Sequence, residues 1–343
     1  MNTIKIKENS IIYFLNNINE FVNLIDFETS KVVFFASKKV EDYLNKIQNI
    51  FKEKQIDVYT YLTSDGEENK NINKAILFTQ FLSLNNIGRN DIIINIGGGT
   101  ICDLGAFVAS IYMRGIRYIN IPTTLLCAVD ACVGGKTAID TGDCKNIWGT
   151  FYQPYKVIID YDFLNCLPNN LIKDGLSEIV KYAILNNDFE SFLNSYNIDS
   201  VNEYLNQIIY KSLKIKAYYV KNDEYDRGER KYLNLGHTVA HAIEVSSNYK
   251  IEHSLAVAYG LIYETQISYK TNLISKSRYD NIMSICNKFL IATEKIKLID
   301  ILPFMLKDKK NEGYNIVFAL PAESGVVLRK FNYEQLKEII INL

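Results

Sequence analysis

A chain of 343 residues with 48% hydrophobic and 22% charged residues has enough apolar material for two globular domains, which excludes disordered, fibrous and disulfide-stapled classes. Lys and Arg number 38 against 39 Asp and Glu, a formal net charge of −1, so no global field collects nucleic acid or an anionic membrane, and neither is expected as a partner. The N-terminal stretch shows no export signal, no segment nears the roughly 20 apolar residues of a membrane span, and six cysteines without a CxxC pair read as buried free thiols. A soluble, cytoplasmic protein is the expectation.

In chain order, short β-branched or aromatic runs at Lys31 to Phe35, Asp57 to Leu62, Asp91 to Ile96, Tyr118 to Ile121 and Val157 to Asp160 alternate with helical segments such as Asn71 to Leu84. That alternation predicts an α/β domain with a Rossmann-like, mainly parallel sheet. The run Asp91-Ile92-Ile93-Ile94-Asn95-Ile96 is apolar almost throughout, as a central strand covered on both faces must be. Helical spacing then takes over at Leu171 to Leu185, Val201 to Val220, Thr238 to Ser246 and Leu255 to Thr271, predicting a mainly α-helical second domain. The expected division is 1–165 and 166–343. Near the end, Tyr314 to Leu320 and Val326 to Lys330 flank Pro321-Ala322-Glu323-Ser324-Gly325. They read as a β-hairpin, followed by an amphipathic helix from Tyr333.

Directly after the central strand come Gly97-Gly98-Gly99-Thr100 and a helix expected from Ile101 to Tyr112. Consecutive glycines allow a sharp turn and bring unshielded N–H groups against a pyrophosphate, with the positive helix end aimed at it. Cys102 stands where a third small residue belongs, so the turn also reads as an ordinary strand-to-helix connection. Asp103 suits either reading.

All three histidines fall close together, at His237, His241 and His253. The first two are four apart, so a helix projects both imidazoles from one face, as a pair of metal ligands or a ligand and a proton shuttle require. Thr238 follows His237 where a hydrolytic zinc helix would carry Glu, which argues against a metalloprotease. In Asp174-Gly175-Leu176-Ser177-Glu178-Ile179-Val180-Lys181, Glu178 and Lys181 share a helix face. A carboxylate with two imidazoles makes a three-ligand site open to substrate oxygens; alone, the pair is an ordinary i,i+3 ion pair. Cations beside glycine turns at Arg114-Gly115, Gly134-Gly135-Lys136-Thr137 and Lys145-Asn146, with Lys216, Arg230 and Lys309-Lys310 later, suit a small anionic substrate. Gly134-Gly135-Lys136-Thr137 is a poor P-loop, because Asp130 occupies the position of the upstream glycine.

Taken together, Gly97-Gly98-Gly99, Tyr112-Met113-Arg114-Gly115, Ile121-Pro122-Thr123-Thr124, Val129-Asp130, Val133-Gly134-Gly135-Lys136-Thr137-Ala138, Lys145-Asn146, Glu178-Ile179-Val180-Lys181 and Leu233-Asn234-Leu235-Gly236-His237-Thr238 resemble the 3-dehydroquinate synthases among the sugar-phosphate cyclases. The resemblance implies Zn2+, or Co2+, on Glu178, His237 and His253, with His241 active but not a ligand. It implies NAD at Glu67, Lys70, Gly98, Gly99, Asp103, Thr123, Thr124, Asp130 and Lys145. It implies an anionic sugar phosphate at Lys136, Asn146, Lys181, Lys216, Arg230, Asn234, His241 and Lys310 or its neighbour, with Arg114 reaching a second subunit of a homodimer. The implied chemistry is transient oxidation, phosphate elimination, reduction and aldol closure. Alternatives are a cyclase for another sugar phosphate, a metal-dependent alcohol or glycerol dehydrogenase, and a non-catalytic binding protein. Four positions depart from the family pattern: Leu255 where a Glu follows the third histidine, Asp226 in place of Glu, Ala36-Ser37 without the acid expected at the first strand's end, and Cys102 in place of glycine.

Overall fold

The computed structural model describes residues 2–25, 31–142, 144–290, 296–306, 311, 313 and 315–343. They fall into two compact units, Met1–Ile172 with Lys216–Tyr225, and Lys173–Ile215 with Asp226–Leu343.

The first unit opens on an antiparallel hairpin, β1 (Asn2–Lys7) and β2 (Ser10–Leu15), then β3 (Lys31–Ser37), α1 (Glu41–Glu53), β4 (Asp57–Thr63), α2 (Ile72–Leu84), β5 (Ile92–Gly97), α3 (Gly99–Ile111) and β6 (Arg117–Pro122). A second hairpin, β7 (Lys136–Thr141) and β8 (Cys144–Phe151), precedes β9 (Lys156–Asp160) and a single turn, α4 (Tyr161–Leu164). Seven strands form one sheet in the order β1-β2-β9-β6-β5-β3-β4. Every pairing within it is parallel except β1 with β2.

The period of two explains why β3 and β5 are apolar almost throughout. Val32, Phe34 and Ala36 pack with Ile92, Ile94 and Ile96 against Leu44, Ile47 and Phe51 of α1. Val33, Phe35 and Ile93 pack on the opposite face against Ala75 and Phe78 of α2 and Leu104 and Val108 of α3. Each buried Val, Leu, Ile or Phe among them contributes roughly 1.5–3 kcal/mol. β4, β3, β5 and β6 take the order two-one-three-four, so the chain reverses direction between β3 and β5, and the crevice beyond their carboxyl ends is where doubly wound sheets take ligands. The glycine turn begins there. A Cβ on Gly97 would stand 2.6 Å from Ile101 Cβ, so α3 comes close to the strand only because Gly97 lacks one.

The second unit is helical: α5 (Asn169–Leu185) from Lys173, α6 (Asn187–Asn194), α7 (Leu205–Asn222) to Ile215, α8 (His237–Ser246), α9 (His253–Lys270), α10 (Lys276–Phe289), α11 (Leu298–Met305) and α12 (Tyr333–Ile341). β10 (Ile316–Pro321) and β11 (Val326–Phe331) form the late antiparallel hairpin. α9 runs through the middle, with Ala256, Val257, Ala258, Tyr259, Gly260 and Leu261 all buried. Among the described residues no helix is long and apolar enough to cross a membrane.

Four expectations need correction. The two hairpins of the first unit are absent from the strand reading. Lys136, read as part of an anion-binding turn, opens β7 instead. The helix expected from Val201 starts at Leu205, after a 3₁₀ segment Ile198–Tyr204. All six cysteines are free, but Cys144 and Cys166 are exposed rather than buried. Tyr314 and Lys310 lie outside the described residues.

Candidate active site

In the second unit, Glu178 of α5, His237 at the first position of α8 and His253 at the first position of α9 each offer one ligand atom, and the three atoms lie within 4.8 Å of one another. Three helices therefore converge on one point. Glu178 Oε1 is 3.4 Å from His237 Nε2 and 3.6 Å from His253 Nε2. The other ring nitrogens point away and are fixed. His237 Nδ1 lies 3.0 Å from the Leu235 carbonyl, so it carries the proton there and leaves Nε2 a bare acceptor. His253 Nδ1 lies 3.2 Å from Glu244 Oε1 of α8. This is how zinc histidines are held, ring turned by its outer nitrogen so that the inner one faces the ion.

Glu178 is 1% exposed, and neither carboxylate oxygen has a hydrogen bond of good geometry, although the Lys181 ammonium sits against Oε2. Such groups are rare in a native interior and ask for an explanation. A divalent cation would supply one, with the carboxylate oxygen and both Nε2 atoms as its ligands; the residues present fit a metal. Burial works to raise the Glu178 carboxyl, but Lys181 and then His237 outweigh it and hold it well below the usual range. Burial lowers His237 despite Glu178. Packing opposes the charged form of His253 too, yet the carboxylates Glu178 and Glu244 on its two nitrogens carry it up to about 10.

His241 lies one turn along α8, its ring centroid 5.7 Å from that of His237, and is not part of the ligand group. Arg230, 2% exposed, and Asn234 stand on the 3₁₀ segment Glu229–Asn234 just before α8. Asp226 takes φ 58, a left-handed conformation short acidic side chains tolerate.

In the first unit the polar groups collect near the glycine turn. Lys70, 3% exposed, places its ammonium 2.6 Å from Asp103 Oδ2 on α3, 2.6 Å from Asn146 Oδ1 on β8 and 3.7 Å from Glu67 Oε1. Burial pushes Asp103 up against the opposing charge of Lys70. Burial also lifts Glu67 above its ordinary value. Thr123 donates its N–H to the Gly97 carbonyl at 2.9 Å, and Thr124 Oγ1 accepts from Cys127 N–H at 3.2 Å. Asp130 stands on a π-helical turn, Cys127–Ala131, a form that concentrates at functional sites. Lys216 donates to its carbonyl at 2.6 Å and to Oδ1 at 2.8 Å. Lys145 and Asn146 share β8, with Asn146 at φ 55. Arg114 lies on the bend Tyr112–Arg114 with Met113 at φ 49 and itself at φ 67, two adjacent strained residues of the kind that cluster at functional places.

Two participants escaped the sequence reading. Glu244 supplies His253 with a carboxylate although Leu255 does not. At the end of β3, where no acid was found, Ser37 Oγ donates to Asp65 Oδ2 at 2.6 Å; an acid does stand there, brought from the end of β4. Cys102 is buried in α3 with its thiol 3.6 Å from that of Cys127.

The model of the 3-dehydroquinate synthase N-terminal domain matches residues 60–174, and that of the C-terminal domain matches residues 175–311. The chain belongs to the 3-dehydroquinate synthase family. A 3-dehydroquinate synthase of Campylobacter jejuni subsp. doylei is 37% identical over 342 residues, covering 94% of each chain. A bifunctional 3-dehydroquinate synthase/phosphatase of Fusobacterium nucleatum subsp. nucleatum is 39% identical over 324 residues; the match takes in 92% of this chain but only 48% of that protein, so this chain spans about half its length. Among solved structures, 2-deoxy-scyllo-inosose synthase complexed with carbaglucose-6-phosphate, NAD+ and Co2+ superposes with a TM-score of 0.86 at 24% identity, over 97% of this chain and 96% of that one. At that identity the likeness speaks for the fold.

Proposed function

We propose that the chain converts 3-deoxy-D-arabino-heptulosonate 7-phosphate to 3-dehydroquinate and phosphate, as a cytoplasmic homodimer holding NAD and a divalent metal, Zn2+ or Co2+. The observation that carries the reading is the convergence of Glu178, His237 and His253 in a chain of this family. Bound there, the metal supplies Lewis acidity to a substrate alkoxide, and NAD supplies reversible removal and return of a hydride.

The remaining roles fall to the protein. Gly98 and Gly99, at the amino end of α3, leave backbone N–H groups open to a pyrophosphate, and Glu67, Lys70, Asp103, Thr123, Thr124, Asp130 and Lys145 complete the nucleotide set. Lys181, Lys216 and Arg230, at 2%, 6% and 2% exposure, are cations whose charge is little screened by water. They suit the phosphate and carboxylate of a doubly anionic substrate, with Lys136, Asn146 and Asn234 as further polar partners. Lys310, assigned to the same set, lies outside the described residues, and Arg114 is assigned to the neighbouring subunit's site. His241 holds and returns the proton of a substrate hydroxyl, a task for which an imidazole next to the metal set is suited.

The atoms balance without an external reductant: phosphate leaves as a proton is lost from the adjacent carbon, the ring C–O bond opens to free the carbonyl that the new C–C bond forms on, and the hydride taken is given back. Incubating the protein with the heptulosonate phosphate, NAD and Zn2+ tests the reading. Stoichiometric phosphate and dehydroquinate with no net NADH is the expected result. Accumulating NADH would instead establish a dehydrogenase, and inertness toward this substrate would point to a cyclase for another sugar phosphate.

A further inference from the structure

We infer that Glu264 is a positioning residue for the metal centre: from α9 its carboxylate clamps the backbone that carries His237, setting that imidazole against His253 on its own helix. The inference rests on Glu178, His237 and His253 holding a cation, as proposed above.

Glu264 is completely buried. Its Oε2 accepts the N–H of Gly236 at 2.6 Å, and its Oε1 accepts those of Thr238 and Val239 at 3.2 Å each. These donors bracket His237. They belong to the start of α8, whose capping residue is Gly236 at φ 81, with no side chain to satisfy them. An anion from another helix therefore does the capping, where the positive end of the helix favours it. Charge-assisted bonds to three amides resist both rotation and sliding of this turn.

The partner helix is suited to the task. His253, Gly260 and Glu264 are spaced seven and then four residues apart on α9, so they lie along one stripe. A Cβ on Gly260 would fall 1.8 Å from the Gly236 carbonyl oxygen, so the two backbones meet there. Position 253 gives one ligand, position 260 the contact and position 264 the clamp. Because the orientation of His237 is set through the Leu235 carbonyl on its Nδ1, a shift of residues 235–239 re-aims Nε2 away from the point it shares with Glu178 and His253.

Glu264→Gln separates this role from mere stability. The amide keeps the shape but has one oxygen, so its NH2 must face an amide N–H on one side or the other. Whole protein stripped of metal is titrated with Co2+ below its melting temperature, reading affinity by competition with a chromogenic chelator and coordination by the visible d–d bands. Glu264→Gln is expected to weaken Co2+ by about 10- to 100-fold, the range typical of groups that orient ligands, and to alter the bands. Glu264→Asp, which keeps the charge, should recover part of the loss and serves as the probe if the Gln form does not fold. Glu190→Gln is the control, since it breaks a buried pair with Arg278 elsewhere in this unit. A lowered Tm in the Glu264 variants with wild-type affinity and spectrum would overturn the inference, as would equal weakening in Glu190→Gln. Wild-type protein that binds no Co2+ would instead sink the ligand trio itself.

Discussion

A carboxylate sealed from water beside a lysine and two imidazoles is expensive to maintain unless its charge is used, and Glu178 is in that position. On the proposed roles, removing His237 takes away a ligand, whereas removing His241 takes away a proton carrier and leaves the trio. His237→Ala is therefore expected to lose bound metal and about 10³-fold or more in turnover, the scale of several kcal/mol of Lewis-acid stabilisation. His241→Ala should keep its metal and lose roughly 10²- to 10⁴-fold, the worth of general acid–base help. Metal analysis of the two purified variants decides it, and equal metal loss in both would overturn the assignment. The thiols permit a second check. Burial pushes Cys286 up to about 12 and raises Cys132 well above its usual range, whereas Cys144 and Cys166 are exposed. Iodoacetamide at pH 8 should modify two cysteines in the native chain and six after unfolding; rapid native labelling at Cys286 would contradict the packing described.

At the scale of elements, close approach governs what the helices can do. A Cβ on Gly105 of α3 would lie 1.9 Å from Asn95 Oδ1 and 2.9 Å from Phe35 Cδ1, and Asn95 is itself committed to a buried bond with Asn120. Gly105→Ala should cost about 1–3 kcal/mol through overpacking, lowering Tm by a few degrees per kcal/mol; an unchanged or raised Tm would refute the contact. The elements that were legible are those whose pattern is strong on its own. β3 and β5 are apolar almost throughout because both faces are covered, and α8 shows two histidines at helical spacing. The hairpin of β1 and β2 was missed although Ile4 and Ile6 alternate with Lys5 and Lys7, since an edge strand with one poor apolar face gives a weak signal. β8 was missed because Ile147, Trp148 and Phe151 are all exposed, so no buried face patterns it. Glu244 and Glu264 were illegible for another reason: each reads as an ordinary helix carboxylate until the partner helix brings its donor.

For the whole molecule, near neutrality in net charge conceals buried cations at Lys70, Lys181, Lys216 and Arg230. Lys70, Lys181 and Lys216 sit against Asp103, Glu178 and Asp130 respectively. Each of these carboxylates is in the set assigned to nucleotide or metal, so the electrostatics of binding are local and largely prepaid by the fold. The change from strand-and-helix alternation to helical spacing after Asp162 is visible in the sequence, whereas the pairing of particular charges is not. Lys216 and Asp130 are far apart in sequence, and no local spacing announces them. The most direct test of the central claim is anomalous diffraction from crystals of the cobalt-loaded protein. The peak is expected about 2.0–2.2 Å from a Glu178 oxygen and from Nε2 of both His237 and His253; a peak held by other residues, or one in which His241 replaces His253, would contradict it.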